Sequence, residues 1–402
     1  MSVHNLPVND IRMGYYSAAY FWKEKRILEL AKNEIVVTMQ VFNKVPGALV
    51  CGVGEVLNLF KYCTGHWSNH GRALKTYVRL QDRKKQLDIF KIQKNFKDYK
   101  YLLGVISDEE ELLEDLWVDT HKDLEISTLF DGDTSLSQIG MMEIKGVASS
   151  FAHLESIYLG ILARSTKIAT NVQKVKRAAN GKPILFFADR FDRFENQEAD
   201  GYAASIGGAS LVATDAMGAR TRSLGEGTMP HALIAIHNGD LIKVADAYAE
   251  YTKTPMIALV DFNNDCVADS LEIAAYCKKQ SICLKAVRLD TSEKLIDRSV
   301  STESGDNING VCPQLVINVR DALDAKGFTD VGIVVSGGFT EDKIKLFETN
   351  EKVSRAVTSY GVGSSLLRGN YDYTADIVYP TVKYGRMYNP DPKLKKVNWD
   401  EI

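Results

Sequence analysis

Short apolar runs alternate with helical patterns beyond about residue 145, and this alternation constrains the fold more than any other feature of the sequence. Runs such as "ILFF" (184–187) and "MIALV" (256–260) are typical of buried strands. Before the first of them, Leu154, Tyr158 and Ile161 recur at three- and four-residue steps, as on one face of a helix. Alternation of this kind predicts parallel βα units and therefore an α/β fold.

Polar residues and glycines follow the predicted strands at their carboxyl ends. They are Asp189, Asp261, Asp290, Ser336 and Gly361. An open sheet and a barrel would both gather ligands at that edge. The barrel is favoured because no early G-x-G-x-x-G follows the first strand, and because the last two strands end in "SGGFTED" (336–342) and "YGVGSS" (360–365). Such turns let backbone N–H groups approach a phosphate, although they also serve as plain tight turns.

The remainder of the chain divides differently. Residues 33–61 indicate strands followed by a short helix, and the segment 72–125 is highly charged, as solvated helix faces are. We therefore predict a separate domain over 1–140, a barrel domain over 141–370, and a tail over 371–402 that packs back on the first domain.

Composition limits the class of partner and compartment. The chain is 45% hydrophobic and 25% charged with a net charge of −3, so neither nucleic acid nor a membrane surface is expected as a partner. The first residues have no apolar core and carry Asp10 early, unlike a signal peptide. The six cysteines lack a C-x-x-C pair, which predicts reduced thiols in a cytoplasmic protein rather than disulfides or a zinc site.

A histidine stands directly behind a Gly-Thr-Met-Pro turn in "LGEGTMPHALIAI" (224–236). Pro230 suits the first turn of a helix, whose N-terminus carries partial positive charge and free N–H donors. His231 would there be neutral and nucleophilic beside a phosphate site. The alternative is a histidine that only caps or packs.

Charged residues near the same edge suggest an anionic substrate. Asp261 and Asp290 can hold ribose hydroxyls, a magnesium ion or developing positive charge, or else each caps its own loop. Four arginines lie close by in sequence: Arg190, Arg193, Arg220 and Arg222. Arginine binds phosphate and carboxylate through a forked pair of donors. A sugar with a phosphate and a pyrophosphate fits such a set, as does a sugar bisphosphate.

Seven stretches resemble motifs of the nicotinate phosphoribosyltransferase family, in the expected order and over nearly the whole chain. They are "VTMQVFNKVPGALVCGVGEVL" (37–57), "LESIYLGILARSTKIATN" (154–171), "GYAASIGG" (201–208), "GTMPHALI" (227–234), "VRLDT" (287–291), "GVCPQLVINVRDALDAKGF" (310–328) and "VVSGGF" (334–339). The shorter microbial branch is the most similar, and because no cysteine follows Cys312 we expect no cysteine-rich metal knob. The resemblance implies an N-terminal α/β sandwich and an irregular TIM-like α/β barrel of the quinolinate phosphoribosyltransferase type.

The resemblance also implies an activity: transfer of phosphoribosyl from phosphoribosyl pyrophosphate to the ring nitrogen of nicotinate, in salvage of NAD. His231 matches the histidine that ATP, a co-substrate, phosphorylates in energy-coupled members. Arg288 and Asp290 match the "RLD" motif facing ribose or nicotinate. Mg²⁺ would assist the departing pyrophosphate, and the enzyme is expected to be a homodimer or higher oligomer with shared sites.

Further site residues follow from the same motifs. The turns that cradle the 5′-phosphate correspond to Ser336, Gly337, Gly338, Gly361, Gly363 and Ser364. Thr228 and Arg190 correspond to substrate-binding positions. Tyr20 matches a tyrosine that stacks on the pyridine ring across a dimer interface, although Ser17 and Ala18 stand where the family often has Thr-Asp.

Other functions remain open. Asp215, in "VATDAMGA" (212–219), stands where nicotinamide-using relatives carry an aspartate, which accepts hydrogen bonds from an amide and repels a carboxylate. Nicotinamide phosphoribosyltransferase is therefore an alternative. A non-catalytic phosphoribosyl-binding protein is a second one, disfavoured by the presence of His231, Asp261 and Asp290. A sugar-phosphate aldolase or isomerase would need a Schiff-base lysine or a clear base at a strand end, and neither is evident.

Overall fold

The chain divides into two compact units that do not follow the predicted boundaries. The computed structural model describes residues 6–252, 254–302 and 308–402. One unit comprises Met1–Thr166 together with Tyr371–Ile402, and the other comprises Lys167–Asn370. The first unit continues past residue 140 because the strand that begins there belongs to its sheet, and the division falls inside the helix that follows.

The helices begin and end as follows. In chain order they are α1 Val8–Arg12, α2 Ala19–Leu30, α3 Val53–Cys63, α4 His70–Ile92, α5 Phe96–Leu116, α6 Ala148–Phe151, α7 Glu155–Ala178, α8 Gln197–Ile206, α9 Asp215–Gly218, α10 His231–Ile236, α11 Leu241–Thr252, α12 Cys266–Gln280, α13 Pro313–Ala325, α14 Glu341–Thr349 and α15 Glu351–Ala356. Within the described ranges, no helix combines the length and the apolar character needed to cross a bilayer.

The strands are short. In chain order they are β1 Val36–Asn43, β2 Ala48–Leu49, β3 Gly65–Trp67, β4 Trp117–Asp119, β5 Glu125–Thr128, β6 Thr134–Ser135, β7 Gly140–Val147, β8 Ile184–Phe186, β9 Leu211–Val212, β10 Met256–Leu259, β11 Leu284–Leu289, β12 Gly332–Val335, β13 Val357–Val362, β14 Tyr373–Tyr379 and β15 Lys395–Lys396. Together with the helices they confirm the predicted α/β class.

The first unit is built on an antiparallel sheet in the order β14-β1-β7-β5-β15. In β1, Val37, Met39 and Val41 alternate along the strand and are buried in the core. Helix α3 contributes Phe60 to that core, and the first half of α7 contributes Tyr158. The charged segment forms the helices α4 and α5, which pack together in a small apolar cluster that also includes Met13, Trp67 and Trp117.

The second unit contains a parallel sheet that curls like part of a barrel. Its order is β10-β11-β12-β13-β8-β9, and every paired neighbour runs parallel. The last strand, β13, pairs with the first, β8, so the strands follow one another around a ring that is open only between β9 and β10 among the described residues. This arrangement agrees with the barrel predicted from the sequence.

An extended segment, Gly225–Pro230, crosses that opening, and we call it the strap. The backbone N–H of Glu226 donates to the carbonyl of Val212 in β9 at 2.8 Å. The N–H of Met229 donates to the carbonyl of Ile257 in β10 at 3.4 Å. The strap therefore connects both open edges of the sheet and leads directly into His231, the first residue of α10.

Candidate functional site

A cavity of about 760 Å³ lies at the carboxyl ends of the parallel strands of the second unit. Its walls come from the loops after β8, β11, β12 and β13 and from the strap. The predicted site residues that line it are Arg190, Thr228, His231, Arg288, Asp290, Ser336, Gly337, Gly338, Gly361, Gly363 and Ser364. The cavity occupies the edge at which parallel α/β folds hold their ligands.

His231 and Asp261 form a close pair beside the cavity. Nε2 of His231 lies 3.1 and 3.0 Å from the two carboxylate oxygens of Asp261, two residues beyond the end of β10. The hydrogen bond to Asp261 raises the pKa of His231, partly opposed by burial, and the charge of Asp290 adds to the rise. This direction is opposite to the lowering expected from a helix N-terminus, because the carboxylate of Asp261 is the main influence on the pKa of His231.

Asp261 faces His231 rather than the open cavity. Its side chain is 7% exposed, whereas that of His231 is 45% exposed. The pairing assigns the proton of the neutral ring to Nε2, because the carboxylate can only accept. The opposite ring nitrogen, Nδ1, then carries the lone pair. Asp261 thus contacts His231 and is not among the residues that line the cavity, while its role in ribose or magnesium binding stays a prediction.

A second polar network joins three of the surrounding loops. Nη2 of Arg288, near the end of β11, donates to Oδ2 of Asp290 at 3.0 Å, and Oγ of Ser336 donates to Oδ1 of the same carboxylate at 2.7 Å. Nη1 of Arg288 also donates to Oγ1 of Thr228 in the strap. Both oxygens of Asp290 are thereby fixed in orientation.

One donor in this network is left over. Nε of Arg288 is buried and has no hydrogen-bond partner in the part of the chain that the structure describes. A buried donor without an acceptor costs free energy, about 1–3 kcal/mol, so a ligand oxygen placed there would be favoured. Among the described residues, the guanidinium thus holds Asp290 and Thr228 and retains one buried N–H without an acceptor.

The two glycine-rich turns lie side by side at the ends of β12 and β13. Gly337 and Gly338 have φ of +87° and +64°, which side-chain-bearing residues rarely adopt. A Cβ on Gly363 would lie 2.6 Å from the ring of Phe191. Gly361 lies within β13 rather than after it, because the strand continues to Val362. These turns leave backbone close to the cavity, as a phosphate site requires.

The four arginines predicted near the site have different surroundings. Arg190 lines the cavity, with its guanidinium 5.4 Å from the ring centre of Phe191. Arg193 instead forms an exposed ion pair with Glu195 at 2.5 Å. Arg220 and Arg222 lie in the turn before the strap and do not line the cavity.

Sequence reasoning missed several charged residues of the cavity wall. Arg368 lines it four residues after Ser364, at the end of the 3₁₀ helix Ser364–Leu367. Glu226 and Glu293 also line it. An arginine one helical turn beyond a glycine-rich turn was the available signal for Arg368. Nothing local marks the two glutamates, because the loops that bring them together are far apart in sequence.

Neither Asp215 nor Tyr20 is among the residues that line the cavity. Asp215 is exposed at the start of α9, and its Oδ1 accepts a hydrogen bond from the backbone N–H of Gly225 at 2.8 Å. Tyr20 belongs to the first unit, on α2, where its side chain is 65% exposed and its ring centre lies 4.2 Å from that of Phe21.

Metal-binding groups are sparse. Across residues 6–252, 254–302 and 308–402, no group of three or more His, Cys, Asp or Glu side chains could hold a metal ion. All six cysteines are free thiols, and only Cys283 among them is exposed.

Comparisons with known proteins agree with the motifs. No family model matches the chain. The nicotinate phosphoribosyltransferase pncB1 of Mycobacterium tuberculosis is 27% identical over 250 residues, which are 60% of this chain and 50% of the relative. The match thus spans about half the length of that curated relative.

Solved structures agree with the fold. The nicotinate-nucleotide pyrophosphorylase of Pyrococcus furiosus matches with a TM-score of 0.68 at 24% identity, over 94% of this chain and 79% of that one. Human nicotinic acid phosphoribosyltransferase matches with a TM-score of 0.61 at 15% identity, over 92% and 76% of the two chains. The resemblance of this chain to the nicotinate phosphoribosyltransferase family is therefore confirmed, and its fold is of the quinolinate and nicotinate phosphoribosyltransferase type.

Proposed function

We propose that the protein transfers a phosphoribosyl group from phosphoribosyl pyrophosphate to the ring nitrogen of nicotinate, giving nicotinate mononucleotide for NAD salvage. The observation that carries this proposal is one cavity lined by two glycine-rich turns, by an aspartate held from two sides, and by a histidine with its own carboxylate. The name of the Mycobacterium tuberculosis relative supports the same reaction.

The glycine-rich turns are proposed to bind the 5′-phosphate of the donor. Backbone N–H groups of Gly337, Gly338 and Gly363 are proposed to bind phosphate oxygens, because these residues line the cavity and carry no side chains of their own. Arg190 and Arg368 supply positive charge at the wall of the cavity. The buried Nε of Arg288 is a further donor for a ribose or pyrophosphate oxygen.

Asp290 is proposed to stabilise the charge that develops on the ribose. As the bond from C1 of the ribose to pyrophosphate breaks, its electron pair leaves with pyrophosphate and positive charge grows on the sugar. The lone pair of the pyridine nitrogen then forms the new bond to C1. That nitrogen carries no proton, so no general base is needed, and the fixed carboxylate of Asp290 has only an electrostatic role.

ATP coupling is proposed to proceed through His231. Nδ1 carries the lone pair that would attack the terminal phosphoryl group, with ADP as the leaving group. Asp261 stabilises the positive ring while Nε2 keeps its proton, and later loss of the phosphoryl group to water regenerates the histidine. His231 lines the cavity and its side chain is 45% exposed, so the ring is accessible to a phosphoryl donor.

Magnesium enters this scheme as part of the substrate. Mg²⁺ usually keeps several waters and is bound through substrate phosphates with one or two carboxylates. The single carboxylates of Asp189, Glu226 and Glu293 at the cavity wall fit that requirement, whereas a site built from protein side chains alone does not. The ion would neutralise charge on the departing pyrophosphate.

Nicotinamide is the second candidate acceptor, and it was considered because of Asp215. The carboxylate of Asp215 is exposed and bound to the strap, while Arg190 lines the cavity. A cation at the wall suits the carboxylate of nicotinate better than a neutral amide. Nicotinate is therefore the proposed acceptor.

The deciding measurement is formation of mononucleotide by purified protein from phosphoribosyl pyrophosphate and Mg²⁺, with nicotinate or nicotinamide, each with and without ATP. Product from nicotinate that increases with ATP is expected. Product from nicotinamide alone would transfer the proposal to that base. No product from either base would leave a phosphoribosyl-binding protein as the better description.

His231→Ala separates the two parts of the proposal. The variant should lose ATP hydrolysis coupled to turnover yet keep some transfer, because the glycine-rich turns and Asp290 are untouched. ADP release and mononucleotide are measured in the same reaction. Coupled hydrolysis that persists undiminished would rule out the phosphohistidine.

The resemblance that assigns Tyr20 to the acceptor ring implies a homodimer with shared sites, which is part of this proposal. The side chain of Tyr20 is exposed on the first unit, as a residue offered to a second copy would be. Light scattering of the purified protein tests the oligomeric state, and a rise in the KM for nicotinate in Tyr20→Ala tests the ring contact.

A further inference from the structure

We infer that Asp215 is a positioning residue that fixes the start of the strap, and that it does not select the acceptor base. The inference rests on the proposed function only for its effect on turnover. The contact by which the turn at residues 214–218 holds the strap, Gly225–Pro230, can be tested without any substrate.

The hydrogen bond from Gly225 to Asp215 is the first of the contacts that hold the strap. Oδ1 of Asp215 accepts from the N–H of Gly225 at 2.8 Å. The next residue, Glu226, bonds to β9, and the strap ends on β10 through Met229, whose side chain is fully buried. Between these points Thr228 accepts from Arg288. The strap is therefore fixed at its start, its middle and its end.

The glycines of this region show that the turn and the strap touch backbone to backbone. A Cβ on Gly225 would lie 2.5 Å from the carbonyl carbon of Thr214 and 2.7 Å from the nitrogen of Asp215. A Cβ on Gly218 would lie 2.0 Å from the carbonyl oxygen of Ser223, two residues before the strap. Side chains at either glycine would separate the two segments, so the local sequence is fitted to this contact.

The turn itself is held in place from behind. Oγ1 of Thr214 accepts from the N–H of Met217 at 3.2 Å and donates to Oε1 of Gln197 at 2.8 Å. Asp215 is thus presented by a fixed support to a segment that belongs to no helix or strand. Thr228 lies two residues beyond Glu226, and His231 follows three residues after Thr228.

Selection of the acceptor would require Asp215 to face the cavity, and it does not line the cavity wall. An asparagine at this position keeps an oxygen that can accept from Gly225 but has no charge. Alanine removes the acceptor altogether. The two substitutions therefore separate a hydrogen-bond role from a charge role.

The first experiment is backbone-amide hydrogen exchange of the substrate-free full chain. In Asp215→Ala the amides of residues 225–229 should exchange about fivefold faster or more, the effect of one lost hydrogen bond on a local opening. Asp215→Asn should exchange like the parent. Asp133→Ala is the matched control, because Oδ2 of Asp133 accepts from the N–H of Phe130 at 2.8 Å in the first unit. That control should leave the strap unchanged.

The second experiment is the ratio of kcat/KM for nicotinate to that for nicotinamide, together with ATP coupling. Asp215→Ala should lower kcat severalfold and uncouple ATP, with the ratio within about twofold of the parent, and Asp215→Asn should restore kcat. A ratio that shifts in both variants would show that the charge of Asp215 selects the base. Unchanged exchange of the strap in Asp215→Ala would overturn the inference even if the parent proves inactive with both bases, so the two failures are distinguishable.

Discussion

At the scale of single residues, the pairing of His231 with Asp261 makes a prediction about pH. The hydrogen bond to Asp261 is the main cause that raises the pKa of His231 above its ordinary 6.5. In Asp261→Asn we expect the pKa of His231 to fall, because the amide does not stabilise the charged ring. An NMR titration of the ring protons measures this directly.

The sign of the effect on stability follows from linkage. A raised pKa means that the folded state binds the proton more tightly than the unfolded state does, so the stabilisation is fully present below pH 6.5. It is lost as the pH rises through the higher pKa of the folded state. Asp261→Asn should remove this dependence, and an unchanged titration of His231 would contradict the pairing.

Individual residues of the site were predictable where a motif carries them. The segment "GTMPHALI" placed Thr228 and His231 at the cavity, and "RLD" and "SGG" placed Asp290 and Ser336 there. The upward shift in the pKa of His231 was not predictable, because its partner Asp261 follows a different strand, 30 residues later. The surroundings of Asp215 likewise depend on a contact with Gly225 that no local pattern reveals.

At the scale of secondary-structure elements, the end of β13 makes a steric prediction. A Cβ on Gly361 would lie 2.8 Å from the ring of Phe187 and 3.0 Å from Cβ of Ser336. Gly361→Ala should therefore lower the free energy of unfolding by about 1–3 kcal/mol, as overpacking does. It should also raise the KM for phosphoribosyl pyrophosphate, because Ser336 is displaced.

Thermal unfolding and steady-state kinetics check this prediction. Gly160→Ala is the control, since a Cβ there would meet nothing within 4 Å and alanine favours a helix. The control should be neutral or slightly more stable. If Gly361→Ala were as stable and active as the parent, the side chains around β13 would be able to move aside for the added methyl group, contrary to the prediction.

Elements were predicted well where their pattern is strong, as in the helix α7 and the strands β8 and β10. The strap was not predicted, because its bonds to β9 and β10 join residues far apart in sequence and its own residues show no period. The position of Gly361 inside β13 was also not predicted, because the strand continues to Val362, one residue beyond the glycine that signalled a turn.

At the scale of the whole molecule, the first unit depends on the last described segment of the chain. β14 pairs with β1 from Asn43↔Tyr373 to Thr38↔Tyr379. The hydroxyl of Tyr373 lies 3.0 Å from Oγ1 of Thr166, and both side chains are buried. A chain that ends after Asn370 should therefore lose cooperative unfolding of the first unit and aggregate through the exposed edge of β1.

Calorimetry and limited proteolysis measure the outcome. A chain that ends after Pro390 is the milder comparison, because it keeps β14 and loses only β15 and the residues around it. It should retain a cooperative transition at a lower temperature. If the chain that ends after Asn370 unfolded at the same temperature and as cooperatively as the parent, β14 would contribute little to the stability of the sheet.

The division into units was only partly visible in the sequence. The change of pattern near residue 145 indicated two architectures, yet the division of the folded chain falls at Thr166 and returns at Tyr371. Pairing between β1 and β14 sets that division, and no local signal announces a partner more than 300 residues away.

The discontinuous first unit also has a consequence for synthesis on the ribosome. The second unit, Lys167–Asn370, is one continuous stretch and can fold as soon as it has emerged. β1 cannot pair with β14 until Tyr373 has been synthesised, roughly 330 residues after Asn43. At ordinary rates of translation this delay is about 15–65 s. During that interval the nascent chain carries an unpaired strand edge, so the part made first is the part completed last.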